Sequence, residues 1–310
     1  MKIAVLIPCY NEAGAIHQVV KDFQHFLPDA MIYVYDNMST DNTLKIATDA
    51  GAVVKQVHTR GKGNVVRRMF ADVDADVYVL VDGDDTYDAS QANILIKNLC
   101  NQQLDMVVAT RIHTDQSAYR AGHVWGNRFL TRVVAQLFGR SQLCSDMLSG
   151  YRVFSRRYVK SFPAFSRGFE IETELTIHAL ELMMPIGETP CHYKSRPPET
   201  ISKLRTYHDG WHIIMTILRL FRLARPLMFY SIFTALFAMS SIVLAIPIVI
   251  EYLQTGLVPR FPTAILSTGL MLIAALSLTC GLILEHVTYG RQEMKRLFYL
   301  AQPILTKKGE

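Results

Sequence analysis

Residues 78–88 read YVLVDGDDTYD, an apolar run that breaks abruptly into carboxylates. Tyr78–Val81 has the character of a short buried strand, and Asp82 and Asp84, two apart on its extended continuation, project to the same side. Magnesium is commonly held by one or two carboxylates and completes its shell with water and phosphate oxygens, and manganese accepts the same hard ligands. The pair therefore suits a nucleoside-diphosphate ligand. A plain turn is the alternative, because Asp-Gly after a strand is a hairpin signal and Asp88 could N-cap a helix over Gln91–Leu99.

On either side of this stretch, strand and helix patterns alternate. Strands are expected at Ile3–Ile7, Met31–Tyr35, Val53–Val57 and Met106–Ala109, and helices at Glu12–Phe26, Thr40–Ala50 and Asn64–Phe70. Such alternation implies an α/β fold, a Rossmann-like and mainly parallel sheet with helices on both faces, whose ligands bind beyond the carboxyl ends of the strands. The first strand runs into Pro8-Cys9-Tyr10-Asn11-Glu12, the second into Asp36-Asn37-Met38-Ser39-Thr40-Asp41, and the third of the set into Asp82 and Asp84. Most of 36–41 reads equally well as an Asx-turn before a helix. Asp36, directly after the apolar run, is the candidate to accept hydrogen bonds from a base or ribose. Arg60-Gly61-Lys62-Gly63-Asn64 opens a helix without Walker spacing, and Lys62 is its candidate diphosphate contact.

The chain has 310 residues, half of them hydrophobic, a net charge of +5 and five cysteines. The cysteines show no C-x-x-C or His-rich zinc spacing, which argues against a disulfide framework or structural zinc and for a reducing compartment. MKIAVLIPCYNE is too short in its apolar stretch for a secretory signal. The basic residues cluster near the C-terminal hydrophobic segments, favouring a membrane surface over nucleic acid as partner.

The ordered set IPCYNE, YDNMSTDNT, RGKGNVVRR, DGD, MVVATR, DMLSGYRVFSRR, GFEIETEL and SRPPETISKLRTYHDG covers about the first 225 residues. It resembles the family-2 glycosyltransferases of GT-A fold, and within them the polyprenyl-phosphate glycosyltransferases typified by dolichol-phosphate mannose synthase. The resemblance implies nucleotide contacts from Pro8, Tyr10 and Glu12, base or ribose recognition by Asp36, and diphosphate and metal (Mg2+ or Mn2+) at Asp82, Gly83 and Asp84. The family often has a glutamine as a further metal ligand two residues past the second aspartate, where this chain has Thr86. Arg111 matches an arginine near the reacting phosphates, and Arg196 and Lys203 match a late loop that closes over the nucleotide.

On the acceptor side, Arg128 and Arg132 lie on an apolar-periodic helix over His123–Phe138, and Arg152 follows Ser149-Gly150-Tyr151. Arginine forks suit phosphate oxygens, although a solvated face or lipid headgroups would equally account for Arg128 and Arg132. The resemblance places Arg152 beside the site. Asp146 could be a general base or could orient Arg152. Glu170, Glu172 and Glu174 fall at a helix start, where acids favour the dipole.

Leu227–Ile250 and Phe261–Leu284 are uncharged and exceed the roughly 20 residues needed to cross a bilayer as helix. Lys203, Arg205, Arg219, Arg222 and Arg225 precede them, and Arg291, Lys295 and Arg296 follow, so both termini are expected in the cytosol. Trp211–Leu223 has the pattern of an amphipathic surface helix. The expected layout is a catalytic domain over 1–205, a juxtamembrane helix over 206–226, two transmembrane helices over 227–285 and a basic tail over 286–310. The partners implied are a nucleoside-diphosphate sugar, UDP preferred over GDP, and a polyprenyl phosphate in the membrane, a bacterial inner membrane being the expected location; self-association is left open. A polysaccharide synthase would show a Q-x-x-R-W element, which is missing around Trp125 and Trp211. A nucleotidyltransferase would show a glycine-rich loop after the first strand, and a non-catalytic membrane scaffold is separable by assay.

Overall fold

The computed structural model describes residues 1–113, 145–168, 170–194 and 206–303, without the side chains of 206–213 and 216. Arg128, Arg132, Arg196, Lys203 and the expected helix at His123–Phe138 lie outside the described residues. Two compact units are formed, one by residues 1–217 with 295–310 and the other by residues 218–294.

The first unit is built on a seven-stranded sheet in the order β3-β2-β1-β4-β6-β5-β7. Its strands are β1 (Ile3–Cys9), β2 (Met31–Asp36), β3 (Val53–Gln56), β4 (Val77–Leu80), β5 (Met106–His113), β6 (Arg152–Ser155) and β7 (Ile186–Tyr193). β3, β2, β1 and β4 are mutually parallel, as are β5 and β7, while β6 runs antiparallel between β4 and β5. The expected α/β sheet is present, and β6 makes it mixed. All four residues of β4 are buried, consistent with a strand covered on both faces.

Helices α1 (Ile16–Phe26), α2 (Thr43–Asp49), α3 (Lys62–Asp72), α4 (Ala92–Asn101), α5 (Arg156–Ser161) and α6 (Ile171–Glu181) accompany the sheet. In α1 the buried Ile16, Val19, Val20 and Phe23 recur at helical spacing and form one apolar face. This helix starts four residues later than the expected Glu12. Asn11 takes a left-handed φ of 51° and the Glu12 carbonyl accepts the N–H groups of both Ala15 and Ile16, so 11–15 form the approach turn. Asp88 does act as a cap, its Oδ1 accepting the Ser90 N–H at 3.0 Å ahead of a short 3-10 turn.

Because β4 and β5 share a direction, the ends of β1, β2, β4 and β5 and the beginning of β6 gather at one rim. At the other end of β5, buried Asp105 accepts hydrogen bonds from Ser155 Oγ (2.6 Å), Arg157 Nε (2.6 Å) and Tyr299 Oη (2.6 Å). That last contact comes from the C-terminal turns of the final helix.

Helix α7 (Thr206–Ala224) leads to α8 (Pro226–Thr255) and α9 (Phe261–Leu300). α8 opens with Pro226, where the missing N–H costs nothing, and is closed by Gly256 in the left-handed conformation. At 1.5 Å per residue, α8 is about 45 Å long and α9 about 60 Å, against a hydrocarbon core of about 30 Å. Only 11% and 17% of their apolar windows are buried, so neither is packed as a core helix of a soluble domain would be. In the second unit the helices are joined by Ser241 Oγ donating to the Ser267 carbonyl at 2.7 Å and by Glu285 Oε2 accepting the Leu227 N–H at 3.1 Å.

Candidate active site

Three strand-end loops build the rim and are cross-linked by short side chains. Asn11 N–H donates to Ser39 Oγ (2.8 Å), Thr40 N–H to Asn11 Oδ1 (2.7 Å) and Glu12 N–H to Thr43 Oγ1 (2.8 Å). Asn37 ties in the third loop by donating to the carbonyls of Val57 and Thr59 and accepting the Gly61 N–H. Asn11 and Met38, each two residues past the end of its strand, and Asp85, five past the end of β4, all have positive φ. Strain of this kind persists only where the surroundings over-determine it, as this lattice of side-chain bonds does.

On this frame Pro8 and Tyr10 are half-buried, and Arg60 stands over the Tyr10 ring with its guanidinium 5.5 Å from the centroid. Glu12 is buried. Asp36 is buried, with Oδ2 accepting the Ser39 N–H at 3.0 Å; among the described residues its Oδ1 has no partner. A buried carboxylate oxygen in that state is costly until a donor arrives.

Asp82 and Asp84 stand just past β4. Gly83 between them lies over Cys9, where a Cβ would fall 2.6 Å from the sulfur. Gly150 lies against Asp82 in the same way, a Cβ there falling 2.4 Å from Oδ2, so a side chain at either position would have to push aside the Cys9 sulfur or the Asp82 carboxylate. Asp84 is buried and its Oδ1 accepts from the N–H (3.3 Å) and hydroxyl (2.6 Å) of Thr86. Thr86, standing where the resemblance puts a third metal ligand, thus orients the Asp84 carboxylate.

Lys62, at the start of α3, reaches Asp82 Oδ1 and Glu172 Oε1, each at 2.5 Å. Burial opposes its charge, but Asp82 and Glu172 outweigh burial and raise its pKa. Burial raises the pKa of Glu172 against the opposing pull of Lys62. The pairing forms because the loop before α6 is seated on α3: Gly63 N–H donates to the Gly168 carbonyl and Asn64 N–H to that of Arg167. Glu174 and Glu170 serve this loop, Glu174 accepting the N–H groups of Phe165 and Ser166 and Glu170 those of Arg167 and Gly168.

From β5, Arg111 forks onto Asp146, with Nε to Oδ2 at 2.8 Å and Nη2 to Oδ1 at 2.7 Å. Its guanidinium also stands over the Tyr193 ring. Burial opposes the charge of Arg111, but Tyr87 and Asp146 outweigh it and raise its pKa. Tyr87 is buried beside this pair, accepts the Gly150 N–H at 2.9 Å, and has its pKa raised by burial.

Arg152 requires a correction. The resemblance places it beside the site, at the acceptor phosphate, with Asp146 either a base or its orienting partner, but it is fully buried. Its guanidinium donates to the carbonyls of Ser149 (2.9 Å) and Met147 (2.5 Å) and to Thr176 Oγ1 (2.9 Å). A guanidinium so committed has no face for an incoming phosphate. Glu172, Thr86 and Tyr87 are the rim residues that sequence reasoning left without a role. An acid in the first turn of a helix and a threonine in an acidic loop each have an ordinary local use.

Among the described residues no group of three or more His, Cys, Asp or Glu side chains converges as a metal cage. Asp82 and Asp84 nonetheless fit magnesium or manganese: both offer hard oxygens, and a two-carboxylate site finished by water and phosphates is the pattern these ions use.

Residues 4–161 match the family model described as "Glycosyl transferase family 2". Protein RfbJ of Shigella flexneri is 61% identical over 122 residues, covering 39% of this chain and 95% of that protein. Two Haloferax volcanii proteins are also similar. Glycosyltransferase AglJ is 29% identical over 299 residues, 95% of this chain and 97% of its own length. A dolichyl-phosphate hexose transferase is 27% identical over 217 residues, 70% and 92% respectively. Among solved structures, glucosyl-3-phosphoglycerate synthase from Mycobacterium tuberculosis in complex with Mn2+, UDP and phosphoglyceric acid aligns with a TM-score of 0.58 at 22% identity. That alignment covers 70% of this chain and 78% of the neighbour.

Proposed function

Because the chain belongs to glycosyl transferase family 2, and is therefore a glycosyltransferase, we propose that it moves a hexose or N-acetylhexosamine from a nucleoside-diphosphate sugar, UDP in preference to GDP, to a polyprenyl phosphate. The observation that carries this reading is the acid pair past β4, set in a strand-end rim, on a chain that ends in two helices long and apolar enough to cross a bilayer. A similar protein is named a dolichyl-phosphate hexose transferase, and a fold neighbour holds UDP with Mn2+, which supports the lipid acceptor and the donor.

Asp82 and Asp84 would hold the divalent ion, whose contribution is positive charge against the departing diphosphate. The Asp36 carboxylate accepts hydrogen bonds from the base or ribose, and the Tyr10 loop frames the nucleotide. An oxygen of the acceptor phosphate attacks the anomeric carbon as the bond from that carbon to the diphosphate breaks, inverting the centre. A phosphate monoester is already ionised near neutral pH, so no side chain has to take a proton from it. Asp146 accordingly holds Arg111 in place, and Arg111 supplies fixed positive charge by the reacting phosphates. The positive residues flanking the two apolar helices favour a catalytic unit and both termini on the cytosolic side, where a soluble donor and the headgroup of a lipid acceptor meet.

The test is a donor screen. Full-length protein in membranes is given polyprenyl phosphate and each labelled UDP- or GDP-sugar in turn, and label is sought in the organic phase. Transfer from a UDP-sugar is expected; transfer only to a water-soluble acceptor, or to none, would overturn the lipid-acceptor reading.

A further inference from the structure

Lys62 is the one cation, among the described residues, shown paired with the Asp82 carboxylate, and it holds Glu172 at the same time with the same 2.5 Å separation. Asp82, Asp84 and Glu172 bring three negative charges to Lys62's single positive one, so these four side chains carry a formal charge of −2. The environment of Asp82 is also asymmetric. Its Oδ2 is backed by the Gly150 backbone, whereas Oδ1 is engaged by the lysine. Glu172 is nearly enclosed while the Asp82 side chain is 29% exposed, so the two partners of Lys62 differ in which of them faces incoming ligands.

On the reading above, in which Asp82 takes part in holding a divalent ion, we propose that Lys62 and Glu172 form a charge-exchange pair. Without nucleotide, the Lys62 ammonium neutralises Asp82 Oδ1 and competes with metal. When a metal-bound nucleoside diphosphate arrives, the ammonium gives up Asp82 and is retained at the rim by Glu172, within reach of the diphosphate. Glu172 is then a positioning residue for the donor site. The arrangement couples metal entry to nucleotide entry, because metal alone must displace a buried ion pair, whereas metal with diphosphate offers the ammonium a new anionic partner.

The experiment is a Mn2+ titration of full-length protein in detergent, read by loss of the free-ion electron paramagnetic resonance signal, so that no turnover is needed. Lys62→Met combined with Glu172→Gln removes the ammonium together with its enclosed counter-ion, so neither is left as an unpaired buried charge, and Asp82 Oδ1 is released for metal. Without nucleotide this double variant is expected to bind Mn2+ at least roughly tenfold more tightly than wild type. The single variant Glu172→Gln, which leaves Lys62 committed to Asp82, is expected to bind it severalfold more weakly. Affinities equal to wild type in both variants would overturn the exchange and leave the ion pair as a clamp between α3 and α6. Absence of Mn2+ uptake by every form, even with UDP present, would overturn the metal reading and the exchange together.

Discussion

Arg111 and Asp146 form a two-pronged ion pair across the rim, with Nε–Oδ2 at 2.8 Å, Nη2–Oδ1 at 2.7 Å and the Arg111 backbone N–H adding a third bond to Oδ2 at 3.2 Å. Both oxygens of Asp146 are thereby engaged by one arginine. A carboxylate held so is poorly disposed to accept a proton from an attacking group and well disposed to fix a guanidinium. Of the two roles the sequence leaves open, base or positioning group, this geometry favours positioning, with Arg111 as the object positioned.

Asp146→Asn keeps the shape of the side chain while weakening the fork. It is expected to retain measurable transfer, lowered about 10- to 100-fold, with the acid limb of the pH–rate profile where wild type has it. Loss of that limb in the variant would make Asp146 a base. Arg111→Lys, which cannot fork, is expected to lose at least as much.

Thr86→Val removes the hydroxyl that donates to Asp84 Oδ1 at 2.6 Å but keeps the volume. Outer-shell partners of metal ligands commonly contribute about 10- to 100-fold in affinity, so half-saturation by Mn2+ should shift upward within that range, with Thr86→Ser restoring it. An unchanged metal requirement would separate Thr86 from the site.

Arg152→Ala is expected to act on folding. Removing a fully buried guanidinium bonded to Ser149, Met147 and Thr176 leaves those acceptors unsatisfied, at a cost of roughly 1–3 kcal/mol each. The melting temperature should fall sharply, with no selective rise in KM for the lipid acceptor in any protein that folds. A stable variant with only a raised acceptor KM would return Arg152 to the phosphate site.

His178 is buried among Tyr158 and Phe162, and burial, assisted by Lys295, pushes its pKa down to about 3. A histidine ordinarily titrates near 6.5, so between these values the unfolded chain binds a proton that the folded chain does not. Stability should therefore fall as pH drops from 6.5 towards 3, by about 1.4 kcal/mol per pH unit from this group. Replacing His178 by Phe should flatten that part of the melting-temperature profile; an unchanged slope would mean that other groups set it.

Much of the fold could be read from sequence because its signals are local. The alternation of apolar strands with amphipathic helices gave β1 to β5 along the chain, though not their order in the sheet, and the long uncharged runs gave α8 and α9. The antiparallel β6 was not legible, since RVFS is four residues that pair with β4 and β5 only after a long intervening segment, and no local pattern encodes direction. The same holds within the site. Asp36, Asp82 and Asp84 announce themselves by following apolar runs directly. Arg152 carried the same outward look of a functional cation, yet its environment is set by Thr176 on α6 and by carbonyls that turn inward. Glu172 was ambiguous for the opposite reason: helix-dipole chemistry already accounts for an acid there, and only the seating of Arg167 and Gly168 on α3 brings it to Lys62.

The central claim is that Asp82 and Asp84 hold a divalent ion for departure of a nucleoside diphosphate toward a lipid phosphate. Its most direct measurement is Mn2+-dependent transfer of labelled sugar to polyprenyl phosphate by wild type and by Asp84→Asn, each with and without EDTA. The account requires labelled lipid from wild type with Mn2+, restored after chelation by added metal, and none above background from Asp84→Asn. Transfer that survives EDTA, or an Asp84→Asn enzyme as active as wild type, would contradict it.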